Sequence, residues 1–368
     1  MSITPSPQQP SPFTMPPLMW GSSALTVGVG PPRPWLWQGY LAPGAVTLLT
    51  SLWKAGKTTL ASVLLSRLKT GGHLAGLPLA PGRAVVITEE DPQHWLRRNQ
   101  SLDFAESVGW YCRPFQGRPR PAQWTAFIDG LVDLHARMPL SLVLIDPWAA
   151  FQSGNENNVA SMVHALAPLQ RLTARGLAVW ILHHPSKDDP PIGRAARGSG
   201  ALPGCVDILM EMRAYPDAGD DDRRRRLHAF SRFPETPRQL VIEWTADGTD
   251  YLARGTILEE DFTRHWEMFR SILADAPYKW NWAEIRRNWP TPDPPEKTTL
   301  HRWLQRAVDK GLLKKDGRGR RGHPFRFWLP EREEFWRTDF LALLHMPELR
   351  QPPPPSPDTP APKPNCPS

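Results

Sequence analysis

A short apolar strand that leads through a small loop into a helix is the feature that most constrains this fold. The strand covers residues 46–50, and residues 51–59 read Ser-Leu-Trp-Lys-Ala-Gly-Lys-Thr-Thr. Apolar residues then recur at helical spacing over residues 60–68. Unpaired backbone N–H groups at a helix start attract phosphate, because they carry the positive end of the helix dipole. The order of elements therefore predicts a phosphate-binding loop, or P-loop.

The residue types in this loop suit a nucleoside triphosphate that carries Mg²⁺. A lysine at position 57 neutralises the β- and γ-phosphates, and the hydroxyl of residue 58 ligates the metal. ATP and Mg²⁺ are therefore the predicted cofactors. The usual pattern begins with glycine, whereas Ser51 stands here, so the turn must accommodate a Cβ atom. The predicted nucleotide contacts are Ser51, Lys54, Ala55, Gly56, Lys57, Thr58 and Thr59.

Length and composition set the class of protein. The 368 residues are 40% hydrophobic, enough for one α/β domain of about 200 residues and a smaller second one. A net charge of +7 favours a polyanionic partner, although surplus arginines also serve to solvate a surface. The three cysteines, Cys112, Cys205 and Cys366, lack disulfide or zinc spacing. With no apolar run of roughly 18 residues, a cytoplasmic protein without a membrane span is predicted.

Two later apolar runs end in carboxylates. Residues 83–88 are followed by Glu89 and Glu90, and residues 141–145 lead into Asp146. Parallel strands present their carboxyl ends at the ligand-binding edge of an α/β sheet. Asp146 is therefore predicted to hold the Mg²⁺ shell, and one of the two glutamates to polarise the attacking water. The acidic residues after the first run also suit the N-cap of a helix, and the two interpretations are compatible.

A pair of histidines follows the next apolar run. Residues 177–182 lead into His183 and His184. A histidine at this strand tip can hydrogen-bond the γ-phosphate or the attacking water. The alternative is a histidine that simply faces solvent. The residues alone leave open which histidine acts, just as they leave open the choice between Glu89 and Glu90.

These motifs occur in an order that resembles a known family. The segments concerned are Lys54-Ala55-Gly56-Lys57-Thr58-Thr59, Glu90-Asp91-Pro92, residues 143–146, His183-His184-Pro185-Ser186-Lys187 and Arg197-Gly198-Ser199. Over about residues 35–251 they resemble the RecA-like ATPases of the hexameric RepA helicase type. The first position of the P-loop, where Ser51 replaces glycine, departs from that pattern.

The resemblance implies both a fold and a set of roles. The fold is an α/β RecA-like P-loop NTPase with a central, mostly parallel sheet. Lys57 and Glu90 are the implied catalytic residues, with His184 or His183 as the phosphate sensor. Arg197 is the implied finger that reaches the nucleotide of a neighbouring subunit in a homo-oligomer, with a hexameric ring as the family form. The alternative for Arg197 is a loop arginine in contact with solvent.

Residues 258–330 predict a second domain with three helices and a basic, glycine-rich β-hairpin. That order is typical of a winged helix-turn-helix, which places one helix in the major groove of DNA. The same fold also binds partner proteins, and the basic hairpin tip favours DNA. The predicted DNA contacts are Lys297, Thr298, His301, Arg302 and Arg306 on the recognition helix, with Arg318, Arg320 and Arg321 at the tip.

The remaining chain completes the predicted organisation. Residues 1–34 form a disordered, proline-rich arm, residues 35–257 the ATPase domain, and residues 331–368 a short helix with a disordered, proline-rich tail. Within the ATPase domain we expect a helix over residues 159–175. Strands are expected over residues 110–115, 206–212 and 227–233. The arginines at 223–226 either contact nucleic acid or phosphates, or are neutralised by the neighbouring aspartates in a solvated hairpin loop.

The sequence as a whole predicts an oligomeric, helicase-like ATPase that acts on DNA in replication or in mobile elements. The alternative is a nucleotide-switched DNA-binding regulator with little turnover. A motor needs Glu90 and Arg197, whereas a switch needs only Lys57, Thr58 and Asp146. A third, weaker hypothesis is a signalling ATPase whose second domain binds protein.

Overall fold

The computed structural model describes residues 34–152, 158–185, 192, 202–215, 219, 221–320 and 322–333. The chain separates into two compact units between Ile257 and Leu258. The proline-rich arm, the tail, and the predicted site residues Arg197 and Arg321 lie outside the described residues.

The first unit contains a large mixed sheet. Its strands in the order of the chain are β1 (Val46–Thr50), β2 (Gly72–Leu74), β3 (Leu77–Leu79), β4 (Ala84–Thr88), β5 (Val108–Cys112), β6 (Leu142–Asp146), β7 (Ala178–His183), β8 (Ile208–Ala214), β9 (Arg224–Ser231), β10 (Gln239–Trp244) and β11 (Tyr251–Gly255). Within the described part of the chain, nine of these strands form one sheet in the order β11-β10-β9-β8-β1-β7-β6-β4-β5. The strands from β8 to β5 are parallel, and β9 to β11 extend the sheet antiparallel.

Helices cover both faces of this sheet. They are α1 (Lys57–Arg67), α2 (Pro92–Leu102), α3 (Pro121–Arg137), α4 (Trp148–Phe151), α5 (Val159–Leu166) and α6 (Leu169–Thr173). Strands β1, β4, β6 and β7 are buried throughout, because parallel strands with helices on both sides must be apolar on both faces. In β1, Leu49 packs into the core that contains α1, and Leu48 packs into the core on the opposite face. The predicted RecA-like P-loop NTPase fold class is confirmed.

The prediction of one continuous helix over residues 159–175 was wrong. Helix α5 ends at Leu166, and α6 begins at Leu169. Pro168 stands between them, and a proline has no backbone N–H and clashes with the preceding helical turn. The break leaves two short helices in place of one.

Three predicted strands are displaced by a few residues. Strand β5 stops at Cys112, because Arg113 adopts a left-handed conformation with φ of 51° and Pro114 follows. Strand β8 covers Ile208–Ala214 instead of residues 206–212. Strand β9 begins at Arg224, so most of the arginine run lies in the sheet and not in a hairpin loop.

The second unit is small and has its own core. Its elements are α7 (Ile257–Ala274), β12 (Trp280–Asn281), α8 (Trp282–Arg287), α9 (Lys297–Asp309), β13 (Lys314–Asp316) and β14 (Arg326–Trp328). The three strands pair antiparallel in the order β12-β14-β13, and Phe269, Ile285 and Leu304 are among the buried core residues. The assignment of this unit as a winged helix-turn-helix stays a prediction. No helix among the described residues of either unit has the length and apolar character to cross a membrane.

The packing of α1 generates a stability prediction. Leu64 of α1 is fully buried, whereas Leu96 of α2 is 60% exposed. We expect Leu64→Ala to lower the free energy of unfolding by about 2–5 kcal/mol, because it leaves a cavity in the core. The matched change Leu96→Ala should cost less than about 0.5 kcal/mol. Urea unfolding followed by circular dichroism measures both, and equal losses would contradict this packing.

Candidate functional site

The loop between β1 and α1 has the geometry that binds phosphate. Gly56 precedes the helix with φ of 103°, a conformation that only glycine adopts readily. Among the described loop residues, the other left-handed position is Lys54, with φ of 59°. Ser51, the residue that departs from the usual pattern, is not one of these positions, so its Cβ atom imposes no left-handed strain.

The Lys57 ammonium lies inside this loop and is only 4% exposed. Its three N–H groups are shared among four acceptors, of which three are Ser51 O at 2.8 Å, Ser51 Oγ at 2.9 Å and Leu52 O at 3.3 Å. Nζ also lies 3.0 Å from His184 Nδ1. Burial lowers the pKa of Lys57 to about 8, and the nearby Asp146 carboxylate opposes that shift. Ser51 stands where the usual pattern has glycine, and its hydroxyl therefore stabilises the lysine charge.

The two histidines occupy different places at the end of β7. His183 belongs to the strand and is buried, with Nδ1 at 3.5 Å from Thr50 Oγ1. Burial lowers its pKa to about 4. His184 is half-buried beside Lys57, and burial followed by the lysine charge lowers its pKa. Because an ammonium only donates, Nδ1 of His184 accepts this hydrogen bond, which places the ring proton of neutral His184 on Nε2.

The predicted metal ligands contact each other directly. Thr58 Oγ1 donates to Asp146 Oδ2 at 2.8 Å, and Asp146 is 4% exposed. Burial raises the pKa of Asp146 to about 6, and the hydrogen bond from Thr58 opposes the shift. A hydroxyl and a carboxylate are hard oxygen donors of the kind that Mg²⁺ prefers, so this pair fits the predicted ion.

The two glutamates after β4 also differ. Glu89 is exposed, whereas Glu90 is half-buried and both of its carboxylate oxygens accept hydrogen bonds from Arg98. Asp91, the next residue, caps helix α2 through a 3.0 Å bond from Gln93 N, as the N-cap interpretation predicts. Several of these groups border one cavity of about 410 Å³, which is lined by residues 53–59 together with Glu89, Glu90, Asp146, Pro147 and His184.

Two residues beside this cavity were missed from the sequence. Arg98 of α2 contacts Glu90. The sequence indicates this contact only by an arginine about two helical turns after the acidic strand end. Arg225 of β9 donates from Nε to Ala55 O at 2.8 Å, and so supports the P-loop from the antiparallel part of the sheet. No local pattern indicates that second contact, because it depends on how β9 is placed in the sheet.

The predicted DNA contacts of the second unit fall into two groups. Lys297, Thr298 and Arg302 on α9 are exposed, as are Arg318 and Arg320 between β13 and β14. His301 is half-buried near the ring of Trp282, which also lies under Lys297 Nζ at 4.7 Å. Arg306 differs from the expected outward face, because it is half-buried and donates to Glu259 Oε1 at 3.2 Å.

The pKa of Lys57 generates a prediction about binding. ATP affinity should fall as pH rises above about 8, because only the charged lysine attracts the phosphates and the neutral form then accumulates. The decline should approach about tenfold per pH unit. The variant Lys57→Arg stays charged and should lose this dependence. Equilibrium titration with a fluorescent ATP analogue checks both, and an equal decline in the arginine variant would exclude Lys57 as the cause.

Comparison with known protein families supports an ATPase domain. A family model described as "AAA domain" matches residues 10–190, just under half of the chain. No curated protein matches the chain significantly. The matched residues include the P-loop, both glutamates, Asp146 and the two histidines. Residues 10–190 are thus similar to AAA domains, and the match supports a nucleotide-binding P-loop ATPase.

Proposed function

We propose that this protein hydrolyses ATP in the cavity at the end of β1 and couples hydrolysis to action on DNA. The observation that carries the first part is that Lys57, Asp146, Glu90 and His184 border the same cavity. They supply a phosphate-binding cation, a metal-binding carboxylate, a candidate base and a hydrogen-bonding ring. That set of groups is what phosphoryl transfer to water requires.

Binding begins at Lys57. The phosphates of ATP replace the carbonyl, hydroxyl and imidazole acceptors that hold Nζ, and the release of His184 leaves its ring available to the γ-phosphate. Thr58 and Asp146 would hold Mg²⁺, which would supply positive charge to offset that of the phosphates. Together these groups orient the γ-phosphate toward Glu90.

Glu90 then acts on the attacking water. Its carboxylate accepts a proton as the water oxygen bonds to the γ-phosphorus, and the bond to the β–γ bridging oxygen breaks to leave ADP and phosphate. Glu90 is favoured over Glu89 because it is the half-buried member of the pair and is held by Arg98. Arg197, outside the described residues, is proposed to act on the nucleotide of a neighbouring subunit, which would tie turnover to assembly.

The second unit is proposed to bind DNA as a winged helix-turn-helix. Its helix order, its antiparallel three-stranded sheet and the exposed Arg302, Arg318 and Arg320 support this function. Arginines in such positions bind phosphates, and affinity then depends on salt because bound counterions are released. We propose that the two units together make an oligomeric, helicase-like ATPase, in which Arg197 acts between subunits.

A pair of matched variants tests the proposed hydrolysis. Glu90→Gln should lower steady-state ATP turnover by about a hundredfold or more while ATP still binds, because the amide cannot accept the proton. Glu89→Gln should remain within about threefold of wild type, because an exposed side chain outside the reaction contributes little. Lys57→Ala serves as the control for nucleotide-dependent activity.

Three outcomes would change the proposal. If Glu89→Gln is the inactive variant, Glu89 is the base. If ATP binds but turnover is negligible with every single- and double-stranded DNA tested, the nucleotide-switched regulator replaces the motor. If DNA leaves an otherwise active enzyme unchanged, hydrolysis stands and its coupling to DNA is rejected.

Salt dependence tests the DNA-binding function. Arg302→Gln and Arg320→Gln should each weaken binding about uniformly across DNA sequences, and each should reduce the slope of log affinity against log salt by about one. Arg306→Gln, on the same helix but paired with Glu259, should leave that slope nearly unchanged. Fluorescence anisotropy at several salt concentrations measures the slopes. Salt-independent or absent DNA binding would instead favour a protein partner for this unit.

A further inference from the structure

The contact between Arg98 and Glu90 joins helix α2 to the end of β4. The Arg98 guanidinium donates from Nη1 to Glu90 Oε2 and from Nη2 to Glu90 Oε1, the latter at 3.0 Å. Two parallel bonds between a planar guanidinium and a carboxylate fix direction as well as distance. The orientation of the Glu90 carboxylate is therefore set by α2 as well as by the loop that follows β4.

The Arg98 guanidinium also lies over a buried aromatic ring. Its Cζ atom lies 4.5 Å from the centre of the Trp95 ring, one turn earlier on α2. Trp95 is 3% exposed and packs against Trp110 at 4.6 Å between ring centres and against Phe104 at 6.2 Å. A cation over an aromatic face is attracted to it, so Trp95 limits the motion of Arg98. The aromatic cluster thus supports the ion pair.

We propose that Arg98 is a positioning residue, which holds the Glu90 carboxylate in the orientation that activates water. This inference rests on the proposed hydrolysis of ATP by Glu90. An ionised carboxylate has about four acceptor sites, and the two bonds from Arg98 leave the others for a water molecule. Arg98 thus orients the Glu90 carboxylate and leaves it able to accept a proton from water.

The contacts of Arg98 also determine which kinetic step it affects. Arg98 is not among the described residues that line the nucleotide cavity, so its loss should leave ATP binding largely intact. Without it, Glu90 gains rotational freedom and moves from the reactive geometry. A misplacement of about 1 Å can cost about a hundredfold in rate.

The test compares substitutions at two neighbouring arginines of α2. Arg98→Gln should lower kcat by about tenfold to a hundredfold and leave KM and the Kd for ATP within about twofold. Arg98→Lys should recover part of the rate, because a lysine keeps the charge but cannot form the paired bonds. Arg97→Gln, an exposed neighbour, should behave as wild type. Thermal melting of each variant verifies that it is folded.

A double variant separates positioning from general support of the fold. If Arg98 acts through Glu90, Glu90→Gln combined with Arg98→Gln should be no slower than Glu90→Gln alone. A further multiplicative loss in the double variant would overturn the inference, as would wild-type kcat in Arg98→Gln or an equal loss of ATP binding. Failure of the proposed function looks different, because the wild type would then bind ATP without hydrolysing it, and this inference would be overturned with it.

Discussion

The buried charge of Lys57 is the interaction on which the rest of the site depends. An ammonium removed from water is costly unless acceptors surround it, and the P-loop supplies two carbonyls and the Ser51 hydroxyl. The fourth contact comes from His184, so the same charge joins the end of β1 to the end of β7. A bound phosphate would accept the hydrogen bonds of the ammonium in place of these groups. The loop therefore holds the lysine charge at the phosphate-binding position even without a ligand.

The order of the strands in the sheet brings distant parts of the chain together around one cavity. Strands β1, β7, β6 and β4 are neighbours, and all four run parallel. Their carboxyl ends therefore meet at one edge, which brings His184, Asp146 and Glu90 to the lysine of the P-loop. The antiparallel extension also contributes, because Arg225 of β9 holds the Ala55 carbonyl within the loop. The second sheet segment is thus a support for the nucleotide site.

Much of this arrangement was predictable from local patterns. Continuous apolar runs identified the buried strands, and the Gly56-Lys57-Thr58 step identified the helix start, because both signals depend on near neighbours in the chain. The partners of Glu90 and Arg306 were not predictable in the same way. Arg98 reaches Glu90 over two helical turns, and Arg306 turns toward Glu259 on another helix of its unit. Such pairings depend on side-chain direction after packing, which spacing alone does not specify.

Sequence was sufficient for the P-loop, the α/β class and the residue types that stand at the strand ends, because apolar periodicity and turn chemistry act over a few residues. Packing was needed to show that the Ser51 hydroxyl bonds the lysine, that His184 and not His183 contacts it, and that the arginine run enters β9. The contact of His184 with the lysine depends on strand register, since a shift of one residue would turn each strand side chain to the other face of the sheet. Register is decided only when all the strands pack together.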